Sequence, residues 1–391
     1  MNEKKALFLI TTLRNMANVY YETFLFFYIF KVANYEVLPL AKYYLTLYLF
    51  CAVGFFIIRK YIKNNVKVPY YRIGLSLQAF YVALIMILKE NIINYIFLVG
   101  IVKGLAEGIL YFPKNIMDTE KISNEERQKY NGLLNTVNKI SSIVVPLVLG
   151  ILLTYIDYVN LGKIFFVLFI IMFVLSFYLK DGVYTKNKKM DYKGFCKVVK
   201  DNKNVGLSLL IPFLSGLTYS AGVMGVIITL FKINIFKTNL NLGIVDSICA
   251  LLFLLMCILF TFIKKEKISI ISLITGTISF IILIIFAFIP SNSILILYLF
   301  MSNTIIGLLN LVSSMICSNI ANIKEIKNNY KAEYYLIRDI IFSISRCIGY
   351  SLLLVVSINF EFVNISYILI ICAISLLIEG FVVAKLSKEN F

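Results

Sequence analysis

The chain has 391 residues, of which 60% are hydrophobic and only 15% charged, with a mean hydropathy of +0.87; soluble domains carry roughly 25% charged residues. This composition excludes a soluble globular enzyme and describes a polytopic membrane protein. The formal net charge of +17 does not read as nucleic-acid binding, because the 38 lysines and arginines gather neither on one face nor in one motif.

Apolar residues come in continuous runs rather than in alternation, which predicts helices and not a barrel. The first run follows Met1–Lys5 but is broken by Arg14 and Asn15, with no small-x-small cleavage site after it. It reads as a retained helix rather than a signal peptide. Taken in order, the predicted spans cover residues 6–32, 37–58, 71–88, 92–113, 131–156, 162–179, 205–231, 240–263, 268–289, 293–320, 333–357 and 363–385. The longest non-apolar interval, 180–204, separates six spans from six. The expected organisation is therefore an N-terminal six-helix bundle at 1–179, a basic cytoplasmic linker at 180–204, and a C-terminal six-helix bundle at 205–391.

Lysine and arginine alternate between loops. With the N-terminus inside, roughly 27 fall on the cytoplasmic side against roughly six outside, which places both termini in the cytoplasm. The two halves also echo each other at an offset of about 200 residues, as in transporters with internal repeats. FFIIRKYIK at the end of the second span answers FTFIKKEK at the end of the eighth, and Lys139 answers Arg346.

Six of the seven cysteines lie in apolar runs, with no C-x-x-C pair, and read as small core residues. The absence of histidine argues against enzymes that need a histidine base or metal ligand. No metal site and no cofactor is expected.

Twelve spans in a six plus six arrangement, a long basic central loop and cytoplasmic termini together resemble the major facilitator superfamily of secondary transporters. Its loop motif G-x-x-x-D-R-x-G-R-K reads here GFFIIRKYIK, keeping Gly54 and Arg59 but with Ile58 where Asp is expected. SSIVVPLVLG in the fifth span keeps Pro146 and Gly150 of the antiporter Gly-Pro signature, with Val145 in place of the glycine. EYYLIRDIIFSISRCIGY, and the pattern Gly108, Tyr111, Asn115, resemble uncharacterised permeases of low-GC bacteria. The resemblance implies an all-α integral membrane fold of two pseudo-symmetric bundles in a bacterial cytoplasmic membrane. It also implies a central cavity lined by the first, fourth, seventh and tenth helices.

A charge at a helix centre costs about 2.5 to 3.5 kcal/mol on insertion scales, so intramembrane charges should face a partner or a cavity. They are Arg14, Glu22, Lys103, Glu107, Lys139, Asp246, Arg338, Asp339, Arg346 and Glu379. Helix rise puts Arg14 and Glu107 at the same depth, roughly 10 Å from the cytoplasmic ends of their helices, with Lys103 near Asn18 and Glu22 further out. Lys103 and Glu107 lie one turn apart. Two readings stand. In one, an ion network fixes helix packing. In the other, Arg14 or Lys103 holds an anionic or polar solute while Glu107 or Glu22 exchanges a proton, since a carboxylate that loses and regains a cationic partner changes its affinity for protons.

Ser215 and Tyr219 share a face of the seventh helix, and Asn303 and Asn310 share one on the tenth, as solute contacts or interhelical hydrogen bonds. Arg338, Asp339 and Arg346, with Gly54 and Arg59, are candidates for a cytoplasmic gate. The alternative for the first two is an interfacial pair suited to a helix N-terminus. Gly100, Gly104 and Gly108 form a small-x-x-x-small stripe suited to close helix approach.

The resulting expectation is a monomeric secondary transporter of a small solute, proton-coupled, working by alternating access in a lipid bilayer. No nucleotide-binding P-loop is present. The alternatives are a transport-inactive scaffold or sensor, or an integral membrane enzyme, for which neither a histidine motif nor G-x-S-x-G is present.

Overall fold

A computed structural model describes residues 2–63, 66–120, 124–181, 190–218, 222–261, 267–358 and 362–390. Tyr219 lies outside the described residues, as do the side chains of Glu22 and Asn303. All regular elements among the described residues are helical. They fall into two compact units, Met1–Met190 with Thr238–Ser247, and Asp191–Lys237 with Ile248–Phe391.

In the first unit, α1 (Glu3–Val19) runs through a π-helical turn at Tyr20–Leu25 into α2 (Phe26–Val32), followed by α3 (Leu38–Lys63), α4 (Val68–Leu88), α5 (Ile96–Glu120), α6 (Asn124–Tyr155) and α7 (Tyr158–Leu175). The second contains α8 (Tyr192–Asp201), α9 (Lys203–Thr218), α10 (Val223–Phe236), α12 (Ile268–Phe288) and α13 (Asn292–Met301). From α13 a second π-helical turn, Ser302–Ile306, leads into α14 (Gly307–Ala321), then α15 (Lys331–Ile358) and α16 (Phe362–Asn390). The first residues of α11 (Asn239–Thr261) group with the first unit and the rest with the second.

Among the described residues eleven stretches are long and apolar enough to cross a membrane, with Lys203–Phe236 and Asn292–Ala321 each counted as one. The first expected span is not one of them. Residues 3–32 are helical throughout, but Arg14 and Glu22 interrupt their apolar character. The tenth expected span contains a π-helical turn, and residues 219–221 of the seventh lie outside the described residues. A π-turn inserts one residue into the helical register, frequently at functional sites.

The ends follow local rules. Asn2 caps α1 by accepting from Lys4 N at 2.7 Å, and Asp157 caps α7 by accepting from Asn160 N at 2.6 Å, each satisfying an orphan amide. Asn34 and Tyr35, with φ of 51° and 64°, turn the chain out of α2.

Several internal pairings recur in both units. Inside the first, α4 packs on α5 and α7, and α1 on α6 and α7. Inside the second, the repeat-related α12 packs on α13, α14 and α16, and α9 on α15 and α16. The closest backbone approach in the first unit is the seam between α3 and α5. A Cβ on Gly100 would lie 2.9 Å from Tyr43 O, one on Gly104 would collide with Leu47 O, and one on Gly108 with Cys51 O. Gly54 sits on the same seam, where its added Cβ would lie 3.0 Å from Gly108 Cα. Gly150 and Pro146 occupy a second close approach inside this unit, where a Cβ on Gly150 would lie 2.9 Å from Asn239 O and one on Gly243 would collide with Pro146 O.

Part of the expected linker forms α8, an amphipathic helix that buries Phe195 and Val198 and exposes Lys193, Lys197 and Lys200. Phe195 packs against Tyr330 and Tyr334. Asp191 caps the helix through Gly194 N at 2.9 Å, and its own N–H donates to the fully buried Glu333 at 3.1 Å. Replacing Asp191 with alanine should cost α8 about 1 kcal/mol of local stability. Faster hydrogen exchange confined to the α8 amides checks this.

Candidate functional site

Three side chains from three helices of the first unit converge on the carboxylate of Glu107. Arg14 on α1 places Nη2 2.9 Å from Glu107 Oε2, and Lys103, one turn before Glu107 on α5, places Nζ 2.6 Å from Oε1. Gln78 on α4 closes the arrangement: its Nε2 donates to Glu107 Oε1 at 2.9 Å and its Oε1 accepts from Lys103 Nζ at 2.9 Å. The side chains are 4% (Arg14), 7% (Lys103) and 11% (Glu107) exposed, so the carboxylate is the least enclosed of the three. Each of its oxygens has its own cation, which is what allows charges to be carried at this depth.

Tyrosines surround this cluster. The Arg14 guanidinium lies 3.8 Å from the centre of the Tyr111 ring. Lys103 Nζ lies 4.0 Å from the Tyr21 ring and 5.2 Å from the Tyr81 ring, distances at which ring quadrupoles attract cations. Tyr81 is fixed from the other side by a 2.6 Å hydrogen bond with Tyr43 of α3. The Tyr21 ring comes from the π-helical turn, so the register shift in the first helix positions it.

Three buried hydroxyls of the first helix, those of Thr11, Thr12 and Tyr21, have no hydrogen-bond partner among the described residues. A buried polar group left in that state costs about 1 to 3 kcal/mol.

The pairing of Arg14 with Glu107 agrees with the equal depth read from the sequence. Asn18 is half-buried and takes no part in these hydrogen bonds. Gln78 escapes a reading that collects ionisable groups alone, although a carboxamide in the middle of GLSLQAFYVAL is itself a polar residue at bilayer depth.

Ser215 is buried on α9. Asn310 on α14 has its Oδ1 buried without a hydrogen bond among the described residues. Arg338 is bound to its chain neighbour Asp339, with Nε at 2.8 Å and Nη2 at 2.6 Å from Oδ1. The Arg346 guanidinium stacks 4.0 Å over the Phe342 ring, and Glu379 accepts from Ser313 Oγ at 2.7 Å. In the first unit Arg59 donates to Phe56 O at 3.0 Å and lies over its ring.

Helices long and apolar enough to cross a membrane, gathered in two units, are the architecture of a multi-pass membrane protein. The Major Facilitator Superfamily model matches residues 47–350, and the chain belongs to that family. Solved structures share the fold over nearly their whole length. A bacterial homologue of the iron transporter ferroportin in its outward-facing state has a TM-score of 0.68 at 16% identity, covering 99% of this chain and 100% of that one. The nucleoside transporter NupG has a TM-score of 0.68 at 14% identity, covering 99% of both chains. A D-xylose–proton symporter has 0.65 at 12% identity, covering 100% of this chain and 98% of that one. In sequence, the chain is 25% identical over 184 residues to the uncharacterised protein YqgE of Bacillus subtilis (strain 168). That match spans 45% of this chain and 42% of YqgE, less than half the length of the relative.

Proposed function

We propose that this protein is a secondary active transporter that moves a small polar solute by alternating access, driven by protons, with both termini cytoplasmic. The observation that carries the reading is the buried cluster of Arg14, Lys103, Gln78 and Glu107, where one carboxylate is shared by two cations. A solute that draws either cation to itself gives Glu107 a second environment with fewer partners. Two environments for one carboxylate are the physical requirement for coupling solute to proton.

The fold neighbours include a bacterial metal transporter as well as nucleoside and sugar transporters. The chemistry of the cluster favours an organic solute over a divalent cation, because Arg14 and Lys103 would repel a metal ion. In addition, no group of three His, Cys, Asp or Glu suited to a metal is found among the described residues.

The test is flux of candidate solutes in proteoliposomes with an imposed pH gradient. Accumulation that follows the gradient supports the reading. Flux indifferent to the gradient removes proton coupling.

A further inference from the structure

We infer that the cluster is a binding site for an organic anion, a carboxylate with an aromatic body, and that Glu107 occupies the anion's place when the solute is absent. The inference rests on the transport reading above and names its substrate class.

The donors are arranged around a carboxylate rather than along a chain. A guanidinium, an ammonium and a carboxamide N–H converge on the two Glu107 oxygens at 2.6 to 2.9 Å. This is the geometry by which proteins bind carboxylate groups of ligands. Here the occupant is tethered, and it is the least enclosed of the three charged groups. A solute carboxylate of the same shape can take over its bonds when Glu107 swings aside.

A second, independent observation points to a missing ligand. Tyr21 is 7% exposed, its ring lies 4.0 Å from Lys103 Nζ, and its hydroxyl has no hydrogen-bond partner among the described residues. Most buried hydroxyls in proteins are partnered; of the three in the first helix that are not, Tyr21 is the one whose ring adjoins the cluster. An anion seated on Lys103 lies beside the Tyr21 ring, whose hydroxyl lacks an acceptor, and the Tyr21, Tyr81 and Tyr111 rings make the surroundings of that anion aromatic.

The experiment compares three probes of one shape and different charge, benzoate, benzamide and benzamidine, on the purified full-length protein at fixed ionic strength. The readout is the shift in unfolding temperature with concentration, which reports binding to the folded state. Benzoate should stabilise saturably, and neither benzamide nor benzamidine should. Glu107→Gln removes the charge of the internal competitor and should lower the half-saturating benzoate concentration about tenfold. Tyr21→Phe, which removes a single hydroxyl and leaves the ring in place, should raise it about fivefold.

Stabilisation by benzamidine or benzamide in place of benzoate overturns the anion assignment and leaves the transport reading standing. An unchanged half-saturation in Glu107→Gln overturns the placeholder role. No response to any of the three probes also overturns the inference, while transport itself is decided by the flux assay.

Discussion

Gly104→Leu removes most of the folded protein. At this position even a Cβ collides with the carbonyl oxygen of Leu47, and the next contacts, Leu47 C and Phe50 Cβ, both lie 3.0 Å away. A helix carbonyl cannot rotate out of the way as a flexible side chain can, so the two backbones must part. Parting them opens the whole seam, because Gly100 and Gly108 sit against Tyr43 and Cys51 in the same manner. Close approach of small residues is what drives helix association in lipid, where burial of apolar surface gives no preference for protein over bilayer. Overpacking of this kind costs about 3 kcal/mol or more, a large share of a marginal stability. The monodisperse fraction by size-exclusion chromatography is the readout. Gly206→Ala serves as control, since a Cβ there meets only Val199 atoms at 3.7 Å and should leave that fraction unchanged.

The second large effect concerns the charges. Arg14→Leu removes the partner of Glu107 Oε2 and the cation over Tyr111. Breaking a buried pair by deleting one member costs about 3 to 5 kcal/mol, whereas replacing all members by apolar groups of similar volume is often neutral. The charge-free triple variant Arg14→Leu, Lys103→Met, Glu107→Leu should therefore regain most of the stability that the single variant loses. It should nevertheless fail to transport. A purely structural network predicts that stability and transport return together, so thermal unfolding and flux measured on the same two variants separate the accounts.

How much of this could be read in advance depended on the kind of information each feature carries. The length of an apolar run sets the length of a membrane helix directly, so the helix positions follow from hydropathy, with α12 at Ile268–Phe288 against an expected 268–289. The meeting of Arg14 with Glu107 follows from counting residues along two helices of opposite direction. Other features depend on neighbours that one sequence does not name. A glycine every fourth residue marks a stripe for close packing, yet nothing in GIVKGLAEG says that α3 is what it meets. Gln78 was visible as a polar residue in an apolar span, but its role depends on the rotation of α4 about its axis. The π-turn at Tyr20–Leu25 is set by tertiary packing and has no composition of its own, although it carries Tyr21. Arg338 and Asp339, expected as gate residues or as groups placed at a helix N-terminus and the interface, bind each other, a contact that adjacency in YLIRDII does not by itself imply.

The central claim is that Glu107 works in transport and does not only hold helices together. Its most direct test is Glu107→Gln in proteoliposomes under an imposed pH gradient, beside unmodified protein, using the solute that most stabilises it. The isosteric amide keeps the shape of the side chain. The variant should fold and bind solute but no longer accumulate it in response to the gradient. Gradient-driven accumulation at the unmodified rate would contradict the account and make Glu107 a structural counter-ion.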